Sequence, residues 1–184
     1  MSEPVVIVGA GQAGAPTAIT LRQQGYTGTI TLIGDEPYVP YERPPLSKDF
    51  LAGVAAFERL PMRAEPFYAE HAIPLRLGKT VASIDRPSHM VRLPSGESLI
   101  YGNLVLATGG AARRLTCHGA PLEGVHLLRT IDDVVGVRDR ISGGAQVVIV
   151  GGGYIGLEVA AVAVKRGCNV TVLEGLNRVL GRVV

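Results

Sequence analysis

The chain has 184 residues, 47% of them hydrophobic, with 24 glycines and a formal net charge of +2. That length holds one or two domains, and so small a charge, with no nucleic-acid-binding motif, argues against a nucleic-acid partner. No apolar run reaches the ~18 residues of a membrane-spanning helix. The opening MSEPVVIV has no basic leader or signal peptide, so the expectation is a cytoplasmic protein with no membrane role.

The first predicted unit covers residues 4–35. VVIV (5–8) reads as a buried strand and runs into Gly9-x-Gly11-x-x-Gly14. A helix follows, with Pro16 near its start, where a missing N–H costs little because first-turn donors have no intrahelical partner. Gly25 stops the helix, and TITLIGD (29–35) is the next strand, ending on Asp35. Strand, glycine turn, helix and strand with an acid about 20 residues on is the context that turns a bare glycine motif into a dinucleotide fingerprint. The first glycine makes the tight turn, the second lets a pyrophosphate approach the backbone, and the third lets helix and strand pack closely. The helix N-terminus offers unpaired N–H groups to the phosphates.

DEPYVPYERPPLSKDFLAG (35–53) is a Pro- and Tyr-rich loop, too proline-dense for a helix. It either lies over a ligand or is a plain surface connector. Residues 57–70 read as helical. Residues 73–109 read as a series of short strands, turned at Arg86-Pro87 and Ser95-Gly96. LVLATG (104–109) has the pattern of a buried parallel strand opening onto a ligand crevice. Residues 110–130 form a connector with strand character at Val125–Leu128. Thr130-x-x-Asp133 then begins a helix over Ile131–Ile141, stopped by Ser142-Gly143-Gly144.

At 147–156 the opening repeats: VVIV is followed by Gly151, Gly153 and Gly156, 142 positions after the first copy. With the same offset Gly167 matches Gly25, and NVTVLE (169–174) matches the second strand after a two-residue slip, ending on Glu174. Two fingerprints in one chain predict two nucleotides and electron transfer between them. A carboxylate at Glu174 facing the ribose would repel a 2′-phosphate and favour NAD over NADP; Arg178, nearby in sequence, leaves NADP open. The second unit has only βαβ where a mononucleotide-binding half needs βαβαβ. The chain therefore reads as the N-terminal part of a longer protein; the alternative is a short protein completed by a partner or a dimer.

YERPPLSK (41–48), LVLATGG and VVIVGGGYIGLEVA together resemble the FAD-dependent, NADH-linked ferredoxin reductases of oxygenase systems, with putidaredoxin, rhodocoxin and rubredoxin-type reductases among them. Apoptosis-inducing factor is a more distant relative. The resemblance implies an α/β architecture of two Rossmann-like βαβ units in a three-layer FAD/NAD(P)-binding fold, truncated at the C-terminus. Residues 1–112 would belong to an FAD domain and 113–184 to an incomplete NAD domain, with the C-terminal half of the same protein missing. It implies FAD on Gly9, Gly11, Ala13, Gly14 and Asp35, with Arg43, Lys48, Val81, Ala107, Thr108, Gly109 and Arg129 around the cofactor. It implies NAD(H) on Gly151, Gly153, Tyr154, Ile155, Gly156 and Glu174. Glu158 would pair with Lys48 beside the flavin and nicotinamide; the plain alternatives are a solvated lysine and a surface carboxylate.

The implied reaction is hydride transfer from NADH to FAD, then single electrons to a [2Fe–2S] ferredoxin or rubredoxin. Related disulfide reductases carry redox cysteines where this chain reads YERPPLSK, and no cysteine precedes Cys117, so a thiol relay from that segment is excluded. Neither Cys117 nor Cys168 lies in a metal-ligand spacing. Arg63, Arg76, Arg113 and Arg114 are candidates for a basic dock for an acidic acceptor, with ordinary solvated charge as the alternative. A non-catalytic flavoprotein module with redox-controlled partner binding is the competing function, and the 184-residue piece alone is expected to be inactive.

Overall fold

The computed structural model describes residues 2–181, which pack as two compact units. The first unit joins Met1–Glu42 to Pro61–Gly110; the second joins Arg43–Leu60 to Ala111–Val184.

In the first unit, β1 (Val5–Val8) pairs in parallel with β2 (Ile30–Ile33), and α1 (Gly14–Gln23) connects them. Further along the chain come α3 (Glu65–Glu70), β3 (Leu75–Arg76), β4 (Ser83–Asp85), β5 (Met90–Arg92), β6 (Ser98–Ile100) and β7 (Asn103–Leu106). The parallel sheet has the order β3-β2-β1-β7, and β4-β5-β6 form a separate antiparallel sheet. Both faces of β1 are covered, which explains its unbroken run of β-branched residues. Val5 and Ile7 pack with Ala15, Ala18 and Ile19 of α1 and with Tyr68 and Ile73. Val6 and Val8 pack with Val91, Leu93 and Tyr101 on the other face. Helix, parallel sheet and antiparallel sheet thus form the expected three layers. Arg22 ties the far end of α1 down, donating to the carbonyls of Tyr26, Gly28, His71 and Ala72.

The Pro-rich excursion leaves and re-enters this unit at one place: Tyr41 bridges Pro61, and the Met62 N–H donates to the Pro40 carbonyl at 2.9 Å. Residues 43–60 themselves pack in the second unit. A 3-10 turn over Pro44–Ser47 leads into α2 (Asp49–Ala52), burying Leu46, Phe50 and Leu51. The same unit contains α4 (Ile131–Arg138), β8 (Gln146–Val150), α5 (Tyr154–Lys165) and β9 (Asn169–Leu173), with β8 and β9 parallel. Arg166 donates to the Leu51 carbonyl at 3.1 Å, and the Arg138 guanidinium lies over the Phe50 ring.

Several local expectations change. Residues 57–70 are not one helix: a 3-10 turn at Phe57–Arg59 is separated from α3 by residues 60–64, where Pro61 bridges Tyr41 and the Met62 N–H donates to the Pro40 carbonyl. Val125–Leu128 forms no strand, having no ladder partner. α4 stops at Arg138, three residues early, although its capping box is as read: Thr130 Oγ1 accepts from the Asp133 N–H, and the Asp133 carboxylate accepts from the Thr130 N–H. β7 is parallel as expected; among the described residues it is the last strand of its sheet, and Leu106 is exposed.

Candidate functional site

The two glycine turns are built alike. The Gly9 N–H donates to the Ile33 carbonyl and the Gly151 N–H to the Leu173 carbonyl, both at 2.8 Å, which clamps each turn to the end of the neighbouring strand. Gly9 and Gly151 share φ near +110°, a conformation that side chains resist. A Cβ on Gly14 would lie 1.8 Å from the Gly9 carbonyl oxygen, and one on Gly156 would lie 2.1 Å from that of Gly151. Gly11 and Gly153 face open space instead. A turn closed at its first and third glycines and open at its second is the shape a pyrophosphate needs, so both turns fit a dinucleotide. Ala13 immediately precedes α1, and Tyr154 and Ile155 open α5 with their side chains exposed.

The acids differ. Glu174 Oε2 accepts from the Gly152 N–H at 2.7 Å, and its Oε1 from the Leu176 N–H at 2.9 Å. This carboxylate is fixed at the rim of the second glycine turn. In the first copy the corresponding strand-end residue is Gly34, where a Cβ would lie 2.7 Å from the Ala10 Cβ. The acid there is the next residue, Asp35, which is exposed. Around the first turn, Ala107 packs against the core beneath it, its N–H donating to the Val8 carbonyl at 2.7 Å, while Thr108 and Gly109 are exposed. Val81 is half-buried against the antiparallel layer.

In the second unit Lys48 and Glu158 meet: Nζ lies 2.7 Å from Oε1. Sequence reading missed the third member, Ser47, whose Oγ donates to Glu158 Oε2 at 2.5 Å. Its place beside Lys48 was the available signal. The Lys48 ammonium, and after it the Ser47 hydroxyl, hold the Glu158 carboxyl below the usual carboxylate range against the opposing effect of burial. Arg43 donates from Nη1 to the Arg129 carbonyl at 2.7 Å, and the Arg129 N–H donates to Asp133 Oδ2 at 2.8 Å. Both arginines are thereby tied to the start of α4.

The four basic-dock candidates fall two in each unit. Arg63 lies over the Phe67 ring, Arg76 pairs with Glu97 at 3.5 Å, and Arg113 and Arg114 are exposed in the other unit. Cys117 is exposed and Cys168 buried, and both are free thiols. Among the described residues there is no cluster that could hold a metal ion and no helix long and apolar enough to cross a membrane.

Residues 3–184 match the family model described as pyridine nucleotide-disulphide oxidoreductase. The chain belongs to that family. It is 52% identical over 179 residues to a ferredoxin–NAD(P)(+) reductase of Sphingomonas sp, covering 97% of this chain and 43% of that protein. It is 47% identical over 180 residues to a rubredoxin–NAD(+) reductase of Pseudomonas putida, covering 98% and 47%. Among solved structures, a covalent putidaredoxin reductase–putidaredoxin complex superimposes with a TM-score of 0.92 at 43% identity, covering 99% of this chain and 44% of that one. The chain thus spans less than half the length of these relatives. The family name notwithstanding, the Tyr41–Lys48 segment carries no cysteine.

Proposed function

We propose that this chain is the dinucleotide-binding part of a cytoplasmic FAD-containing reductase. In this reading NADH donates hydride and a [2Fe–2S] ferredoxin or rubredoxin of an oxygenase system receives single electrons. The carrying observation is the pair of glycine turns, each closed at its outer glycines and open at the middle one. Family membership and the ferredoxin and rubredoxin reductases among its relatives support the same reading. The putidaredoxin complex supports an iron–sulfur protein as acceptor.

Bound FAD supplies the conversion of a two-electron donor into one-electron steps; the chain supplies position and charge. Gly9, Gly11, Ala13 and Gly14 would take the FAD pyrophosphate and Asp35 its ribose, with Val81, Ala107, Thr108 and Gly109 lining the same unit's cradle. Arg43, Arg129 and Lys48 are assigned to FAD as well, Lys48 offering an ammonium to developing negative charge. Gly151, Gly153, Tyr154, Ile155 and Gly156 would hold NADH, with Glu174 on the adenosine ribose. Glu158 would orient Lys48. Residues 1–112 and 113–184 are the proposed FAD and NAD segments. The rest of the protein, matching the part of the relatives this chain does not span, would complete both.

The test is anaerobic titration of the full-length protein. NADH is expected to bleach the flavin absorbance, and ferredoxin added afterwards is expected to restore it. Flavin that stays oxidised with NADH defeats the proposal. A long-lived charge-transfer band with no turnover on any acceptor would identify a non-catalytic flavoprotein module instead.

A further inference from the structure

We propose that Ser47 is a positioning residue for the Lys48–Glu158 pair: its buried hydroxyl anchors the Glu158 carboxylate, which makes the Lys48 ammonium the member that moves. The proposal deepens the reading that Lys48 serves the flavin and rests on it.

Glu158 divides its oxygens between two unlike donors. Oε2 takes the Ser47 hydroxyl and Oε1 takes the Lys48 ammonium. Ser47 is 5% exposed and has a one-bond reach. It ends a 3-10 turn begun by Pro44 and Pro45 and pinned by buried Leu46. The Lys48 side chain is 49% exposed. Its backbone is fixed at both ends, the N–H donating to the Pro45 carbonyl and the carbonyl accepting from the Ala52 N–H, so only its four-carbon stem can swing.

Breaking the two contacts has unequal consequences. An ammonium that leaves Glu158 is taken up by water at little cost, as for other exposed ion pairs. A buried hydroxyl stripped of its acceptor keeps the full desolvation penalty. The carboxylate therefore stays with Ser47 when Lys48 departs, still ionised and in place to receive it back. Of the other charges on the elements packed here, Arg166 is bonded to the Leu51 carbonyl, Arg138 lies over Phe50 and near Asp139, Asp133 accepts from the Arg129 and Thr130 N–H groups, and Asp49, Asp132 and Lys165 are exposed.

The test reads the Glu158 carboxyl pKa and side-chain rotamer by NMR in the full-length protein freed of cofactor, in wild type, Ser47→Ala, Lys48→Met and the double variant. No cofactor is needed, so its outcome is independent of whether the reductase reading holds. Lys48→Met is expected to raise the pKa toward the ordinary glutamate value while leaving one Glu158 rotamer. Ser47→Ala is expected to raise it and average the rotamers, and Lys48→Met should then add much less than it does in wild type. Ser47→Thr should restore wild-type behaviour. An equal effect of Lys48→Met with and without the Ser47 hydroxyl, or an unaveraged rotamer in Ser47→Ala, overturns the proposal. If Ser47→Ala does not fold, Ser47→Cys, with similar volume and a weaker donor, is judged by the same criteria.

Discussion

The two fingerprints share a backbone and differ in what surrounds it. Gly9 sits under the end of β7: a Cβ there would lie 2.1 Å from the Ala107 carbonyl oxygen, whereas one on Gly151 would meet nothing within 4 Å. The strands feeding the turns differ in the same way. Val5–Val8 are buried on both faces, while Val148 and Val150 are 61% and 60% exposed. The positive φ is thus intrinsic to the glycine turn, but the steric demand at Gly9 comes from Ala107 at the end of β7, and no counterpart lies against Gly151 among the described residues. The third glycine is demanded by the turn itself, and it is equally tight in both copies.

The largest expected effects test that division. Gly9→Ala combines a disallowed φ with a backbone clash and should cost about 4 kcal/mol or more. Gly151→Ala meets only the φ and should cost about 1–2 kcal/mol. Gly14→Ala and Gly156→Ala should both be as severe as Gly9→Ala. Urea unfolding followed through amide signals of each unit measures all four, and equal losses for Gly9→Ala and Gly151→Ala would remove the comparison.

A smaller effect concerns the residue after the first glycine. The first copy has a methyl on the turn (Ala10) facing a glycine on the strand (Gly34). The second has a glycine on the turn (Gly152) facing a carboxylate on the strand (Glu174). Gly34→Ala should cost about 2 kcal/mol by overpacking, and Ala10→Gly in the same chain should recover most of it. Additive losses in that double-mutant cycle would mean the two positions do not compete for space.

The glycine spacing, the flanking apolar strands and the Gly25 and Gly167 stops were legible in the sequence because each answers a local backbone requirement, and both terminal glycines have φ of +80°. Thr130 and Asp133 were legible for the same reason. What stayed hidden depends on contacts distant in sequence. Residues 43–60 pack with α4 and α5, which lie far from them in the chain. Ser47 reaches a carboxylate 111 positions away. The exchange of Ala10/Gly34 for Gly152/Glu174 appears only once the turn is laid against the strand end.

The acids give the next prediction. Glu174 is held rigidly by two backbone N–H groups, and a fixed carboxylate at the ribose should reject a 2′-phosphate. Glu174→Ala in the full-length protein should weaken NADH binding about tenfold, or about 1.4 kcal/mol, while NADPH binding holds or improves. Stopped-flow flavin reduction at varied nucleotide concentration separates the two. Wild-type protein that uses both nucleotides equally well would count against Glu174 as the selector and bring Arg178 back into question.

The smallest effect is on acid stability, and its sign follows from the direction of the Glu158 shift. Lys48, and then Ser47, lower this carboxyl below its ordinary value in the folded chain. A carboxyl of this kind stabilises the fold above its unfolded pKa of about 4.3 and loses that contribution as pH falls through the lower folded value. Glu158→Gln should therefore be less stable than wild type at neutral pH and lose less on acidification, so the two stability curves converge below about pH 4. The gap at neutral pH should be small and shrink in high salt, because the Lys48 side chain is half exposed and its attraction is screened. Among the described residues no such hydroxyl–carboxylate–ammonium set is recorded on α1, where the position matching Glu158 by the 142-residue offset is Pro16.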